Sequence, residues 1–120
     1  MPDFRPDLLR LSATEIASGV RSGELSAVEI VEAHIGQILA THEQLNALVV
    51  RTFDRARREA VAIDRGRRGG EDLGPLAGVP TTIKECFYVE GTPSTIGLRR
   101  LAGQIMPADA SLVARLRQAG

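Results

Sequence analysis

The chain has 120 residues, room for one small domain or a piece of a larger one. Hydrophobic residues make up 43% of it but aromatics only 3%, so a core has to be built from Ala, Val, Leu and Ile. Fifteen basic and fifteen acidic residues cancel, which leaves no electrostatic footprint for nucleic acid or an anionic membrane, and the single cysteine, Cys86, excludes an internal disulfide framework or a Cys-rich zinc site.

The opening Met1-Pro2-Asp3-Phe4-Arg5-Pro6-Asp7 has no apolar signal core, and no stretch approaches the ~20 apolar residues of a membrane span. With the lone thiol, this predicts a soluble protein in a reducing, cytoplasmic setting. Two helix starts follow. Ser12-Ala13-Thr14-Glu15 and Ser26-Ala27-Val28-Glu29 both match the capping box, in which the serine side chain and the later glutamate satisfy orphan backbone N–H groups reciprocally. The first helix is predicted to end near Gly19 or Gly23. The second should run to about Thr41, with Val28, Val31, Ile35 and Ile38 as its apolar stripe and Glu29, Glu32 and Gln37 on other faces.

Asn46 to Arg51 reads as a short buried strand. A third helix is predicted from about Phe53 to Arg68, with Phe53, Ala56, Ala60 and Ile63 facing inward. Asp54 with Arg58, and Asp64 with Arg68, stand i,i+4 with the acid first, the favourable order for an ion pair. Six arginines between Arg55 and Arg68 are nearly cancelled by Asp54, Glu59, Asp64, Glu71 and Asp72, so this segment is a solvated helix face and not an RNA-binding patch.

Gly69-Gly70 and Gly74-Pro75 mark a loop, and a second strand is predicted from Val79 to about Cys86, with Pro80 confined to its start. Gly91-Thr92-Pro93-Ser94-Thr95-Ile96-Gly97 has the composition of an irregular loop. Asp109 is the expected cap of a last helix that turns Leu112, Val113 and Leu116 inward and stops at Gly120. The order helix, helix, strand, helix, strand, loop, helix predicts an α/β chain: a helical lead-in over 1–45, then a strand–helix–strand–loop–helix segment over 46–120, together one partial domain. Two strands around one helix suit a parallel crossover, yet such a sheet needs more strands and cover on both faces.

Lys84 is the only lysine, against fourteen arginines. A guanidinium stays protonated at ordinary pH, whereas a buried lysine amine can lose its proton and act as a base. A single solvated lysine is the plainer alternative. Its surroundings, Gly78-Val79-Pro80-Thr81-Thr82-Ile83-Lys84-Glu85-Cys86-Phe87, are apolar and strand-like, unlike a charged helix surface.

The stretch Gly74-Pro75-Leu76-Ala77-Gly78-Val79-Pro80-Thr81-Thr82-Ile83-Lys84-Glu85 closely resembles the amidase signature family, in which a Gly-Pro-Leu-x-Gly-Val-Pro segment leads into a strand bearing the catalytic lysine. The resemblance continues through Gly91-Thr92-Pro93-Ser94-Thr95-Ile96-Gly97 and the helix from Ala108 to Gly120, and it includes Leu11 to Thr14 and Gly23 to Glu29. Nearly all of residues 8–120 is covered in the family's order. It implies a partial amidase signature fold, in which N-terminal helices precede the start of a mixed β-sheet layered with helices. It also implies cleavage or transfer of carboxamides by a Ser–cis-Ser–Lys triad, with Lys84 as the triad lysine. In that role Lys84 is neutral and draws a proton through the bridging serine from the nucleophilic one. Strand alternation would set Lys84 opposite Ile83 and Glu85, leaving Glu85 off the amine.

Two departures accompany the resemblance. The commonest family pair is Lys-Asp, and here it is Lys84-Glu85, read as the mark of a subgroup. The family's two serines lie in a Gly-Ser-rich segment expected downstream of Gly120, so the 120 residues alone are expected to be inactive. Cys86, Ser94, His34 and His42 are no substitutes: a small core thiol, a turn hydroxyl and two helix-surface imidazoles account for them. No cofactor and no metal are implied, and the implied partner is a small-molecule amide with neither nucleic acid nor membrane. The same motifs occur in the amidotransferase subunit that supplies ammonia to mischarged glutamyl-tRNA, and a non-enzymatic interaction module is the third reading. The amide and the oligomeric state are left open.

Overall fold

The computed structural model describes residues 5–120, so the absence of a signal core at residues 1–4 concerns residues outside it. The chain divides into two compact units. One runs through Pro80 and takes in Ala119–Gly120; the other is Thr81–Gln118.

The first unit is a helical layer. After a 3-10 turn at Leu8–Arg10 come α1 (Ala13–Ser22), α2 (Ala27–Leu45) and α3 (Phe53–Arg68). Helix α1 starts as expected: the Ser12 hydroxyl accepts the Glu15 N–H, and a Glu15 carboxylate oxygen accepts the Ser12 N–H at 2.7 Å. It ends at Gly23, whose φ of 85° closes the helix in the left-handed conformation that glycine adopts without penalty.

Helix α2 begins differently. Ser26 accepts the Glu29 N–H, but the other donors of this terminus turn to Asp64 on α3. The predicted i,i+4 pairing of Asp64 with Arg68 is thus replaced by a buried cap across two helices. Asp54 likewise pairs with Arg57 at i,i+3, and Arg57 reaches Glu32 on α2 at 2.6 Å. α2 also runs past Thr41 to Leu45, where Asn46 (φ 44°) closes it with its N–H on the His42 carbonyl.

That cap removes the first predicted strand. Asn46 is spent ending the helix, and residues 47–51 continue irregularly with Val49 65% exposed. The second predicted strand does not form either, and no strand occurs among the described residues. The Val79 N–H donates back to Leu76 and the Phe87 N–H to Lys84, so the ends of this segment close local turns instead of a ladder. An extended segment is a strand only when a neighbour takes its N–H and C=O groups.

The core lies in this helical unit. Leu8, Ile16, Val20, Ala27, Ile30, Val31, Ala33, Ile35, Ala60 and Ala77 are buried together, with Phe53, Ala56 and Ile63 of α3 packed against them. Val20 and Ile30 are wholly enclosed, each contributing about 1.5–3 kcal/mol by leaving water. The α3 face is the predicted one. On α2 the buried face centres on Ile30 and Val31, so Val28 and Ile38 fall to its margin.

The segment 74–79 folds onto this layer. Arg21 donates to the Pro75 carbonyl at 3.1 Å, and the Leu76 N–H donates to Ala119 at 2.7 Å. Gly78 sits at φ 76° directly over Val20 and Ala27, which explains the glycine of the Gly-Val-Pro motif: a Cβ there would lie 2.8 Å from a Val20 methyl.

The second unit is loop-rich. It holds a 3-10 turn at Arg99–Leu101, a single antiparallel bridge between Pro93 and Ile105, and α4 (Ser111–Gln118). Val113 is buried, Leu116 is half-buried and Leu112 is 49% exposed, so only part of the predicted inward face is covered.

Candidate active site

Lys84 lies in the second unit on an extended run that turns at its own carbonyl, which accepts the Phe87 N–H at 3.0 Å. Its side chain is exposed among the described residues. Cys86 is exposed too, which corrects the expectation of a core thiol. The turn that begins at Lys84 breaks the alternation that would have set both on one strand face.

The order around Lys84 comes from the next residue. The Glu85 carboxylate accepts the main-chain N–H groups of Thr95 and Ile96, the latter at 2.9 Å. Its carbonyl accepts the Ser94 hydroxyl at 2.9 Å. The Thr95 N–H chiefly holds the Glu85 carboxyl below its ordinary pKa; partial burial opposes this, and the Thr95 hydroxyl and Ile96 N–H add to it. Ser94 is buried, and its hydroxyl ties one loop to another, a longer-range role than the turn expected of it.

The 91–97 loop is itself pinned. The Gly91 N–H donates to Met106 and the Met106 N–H to Thr92, both at 2.9 Å, flanking the Pro93–Ile105 bridge. The Thr92 hydroxyl donates to Val89 at 2.8 Å. Asp109, expected to cap the last helix, accepts the Glu90 N–H at 2.8 Å and the Arg117 guanidinium at 2.6 Å, and so joins the turn before this loop to α4. The family-like loop and helix thus form one hydrogen-bonded frame around the Lys84–Glu85 pair.

The histidines are elsewhere. A half-buried His34 has Nδ1 2.8 Å from the Ile30 carbonyl, one turn back on α2, and His42 is half-buried near that helix's end. Among the described residues no group of three His, Cys, Asp or Glu could hold a metal ion. No helix there is long and apolar enough to cross a membrane.

Glu85 is the residue that sequence reasoning undervalued. Its spacing from Thr95 and Ile96 carries no periodic signal. The available hint was chemical: an acid close to a Gly-Thr-Pro-Ser-Thr loop, whose irregular backbone leaves N–H groups in need of acceptors.

The Amidase family model matches residues 29–120 of the chain. This chain belongs to the amidase family. It is 44% identical over 119 residues to a glutamyl-tRNA(Gln) amidotransferase subunit from Streptomyces avermitilis, covering 99% of this chain and 24% of that protein. It is likewise 44% identical over 110 residues to an acylamidase of Rhodococcus erythropolis, covering 92% of this chain and 23% of the acylamidase. Among solved structures, a bacterial aryl acylamidase of the amidase signature family superposes with a TM-score of 0.78 at 39% identity, over 83% of this chain and 21% of that one. The amidase-family chain spans about a quarter of the length of the curated relatives it matches. Its structural neighbours are amidase signature enzymes, whereas its own described residues form helices and loops.

Proposed function

We propose that this chain is the N-terminal portion of an amidase-type hydrolase that cleaves carboxamide C–N bonds by a Ser–cis-Ser–Lys triad, with Lys84 as its lysine. The observation that carries this reading is the position of Lys84: the one lysine in an arginine-rich chain falls within the family-matched residues, on Gly-Val-Pro-Thr-Thr-Ile-Lys-Glu. Glu85 supports it. A carboxylate beside the lysine would favour the charged amine, but this one is engaged by the Thr95 and Ile96 N–H groups.

In the complete protein a neutral Lys84 takes a proton through the bridging serine and so activates the nucleophilic serine. The exposed amine requires the remainder of the protein for its burial, and the extended segment 79–86 requires strands from there to enter a mixed α/β sheet. On its own the 120-residue chain is inactive, because the nucleophile and oxyanion donors supply most of the rate. The substrate is a small amide, no cofactor takes part, and the exposed thiol of Cys86 suits the cytoplasm.

The test is amide hydrolysis by the full-length protein. Release of ammonia or amine from simple carboxamides by the isolated protein supports the amidase. A second reading, the amidase component of a glutamyl-tRNA amidotransferase, is favoured by the likeness to the Streptomyces protein. It predicts little hydrolysis until partner proteins are added. A full-length protein with no Gly-Ser-rich segment overturns both.

A further inference from the structure

Four hydrogen bonds converge on the Lys84–Glu85 pair. The carbonyl of Lys84 is held by the Phe87 N–H at 3.0 Å, and that of Glu85 by the Ser94 hydroxyl at 2.9 Å. The Glu85 carboxylate then accepts two consecutive N–H groups, from Thr95 and Ile96. Consecutive donors can meet one carboxylate here because the turn is unusual. Ile96 has φ 47° and Gly97 φ 80°, and the Gly97 N–H donates to the Thr95 hydroxyl at 3.1 Å. A non-glycine residue keeps a left-handed backbone only where its surroundings hold it there, and the acceptor at Ile96 is Glu85.

We propose that Glu85 is a positioning residue for Lys84, clamping the backbone that carries the amine to the turn at 94–96 while its charge is taken up by that turn. The inference rests on the amidase reading above. Among the described residues these ties are the ones that fix the backbone at Lys84 and Glu85, and in the complete protein they anchor the end of the 79–86 segment, where the Cα–Cβ direction of Lys84 is set. A misplacement of about 1 Å at a reacting group can cost on the order of 100-fold in rate. A glutamine in place of Glu85 keeps the size but offers one acceptor oxygen where two N–H groups need one each, and its amide nitrogen would face a donor. An aspartate keeps both oxygens on a shorter stem.

The experiment uses the full-length protein with 4-nitroacetanilide and benzamide as probes, comparing wild type with Glu85→Gln, Glu85→Asp, Ser94→Ala and Lys84→Ala. Glu85→Gln should lower kcat at least about tenfold with KM changed less than about threefold, and Glu85→Asp should recover most of the loss. Amide hydrogen exchange across residues 83–97 should quicken in Glu85→Gln and return towards wild type in Glu85→Asp. Wild-type kcat in Glu85→Gln overturns the proposal, as does an equal loss in the glutamine and aspartate variants. If Glu85→Gln does not fold, Ser94→Ala decides: a severalfold loss of kcat at unchanged KM upholds the clamp, and wild-type kcat with faster exchange at 83–87 overturns it. Wild-type turnover by Lys84→Ala would instead sink the amidase reading and this inference with it.

Discussion

Asp64, late in α3, accepts the Ser26 hydroxyl at 2.6 Å and so caps a helix thirty-eight residues earlier in the chain. Its other oxygen accepts the Ala27 N–H at 2.8 Å, and the Val28 N–H lies 3.2 Å from the first. The carboxylate is buried and meets the positive end of α2, where it satisfies the buried Ala27 N–H and the half-buried Ser26 and Val28 donors together. Asp64→Ala should therefore cost about 3 kcal/mol, well beyond a surface ion pair, because several donors lose one charged acceptor together. Asp64→Asn, which keeps an acceptor oxygen, should cost roughly half as much. Urea denaturation of the variants checks both, and equal stability of Asp64→Ala and wild type would refute the cap.

The same carboxylate sets an acid limit. Burial would raise its pKa, but the Ser26 hydroxyl and the Ala27 and Val28 N–H groups, with the Arg67 charge nearby, outweigh burial and hold it below the ordinary value of 3.8. A depressed folded pKa gives stability that is fully present above the unfolded value and is lost as pH falls through the folded one. Stability should thus hold down to about pH 4 and fall below it, and Asp64→Asn should flatten part of that fall. Denaturation midpoints between pH 6 and pH 2.5 measure the difference. A variant whose slope matches wild type would place the acid sensitivity elsewhere, for example at Glu15 or Glu32, whose pKa values are also lowered.

Two glycines should respond in opposite senses. Gly78 at φ 76° would bring a Cβ within 2.8 Å of Val20 and 3.2 Å of Ala27, so Gly78→Ala should destabilise by about 2 kcal/mol. Gly36, inside α2, has open space around its missing Cβ, and Gly36→Ala should stabilise by about 0.5–1 kcal/mol. Thermal unfolding of the pair tests whether the Gly-Val-Pro glycine serves packing of the loop on α1 and α2.

Much of the helical unit was legible in the sequence because its signals are local. Ser12 and Glu15 stand three apart, and Phe53, Ala56, Ala60 and Ile63 repeat at helical spacing, so start and buried face could be read directly. The two strands could not be read in the same way. Apolar runs at 46–51 and 79–86 have strand composition, but pairing is a long-range property, and within the described residues these runs find caps and turns instead. The uses of Asp64 and Glu85 were hidden for the same reason. Each acid had a nearer conventional role, an i,i+4 ion pair or a strand position, and each is spent on backbone N–H groups far along the chain. The rarity of Lys84 and its motif could be read from the sequence, and the hydrogen bonds that tie the neighbouring Glu85 to the 94–96 turn could not.

Turnover by full-length Lys84→Ala and Lys84→Arg decides whether Lys84 is the base of an amide-cleaving triad, as proposed. Lys84→Ala should lose at least about 100-fold in kcat with its fold intact, and Lys84→Arg should not recover it, since a guanidinium cannot release its proton. Wild-type kcat in Lys84→Ala, or full activity in Lys84→Arg, would contradict that role for Lys84.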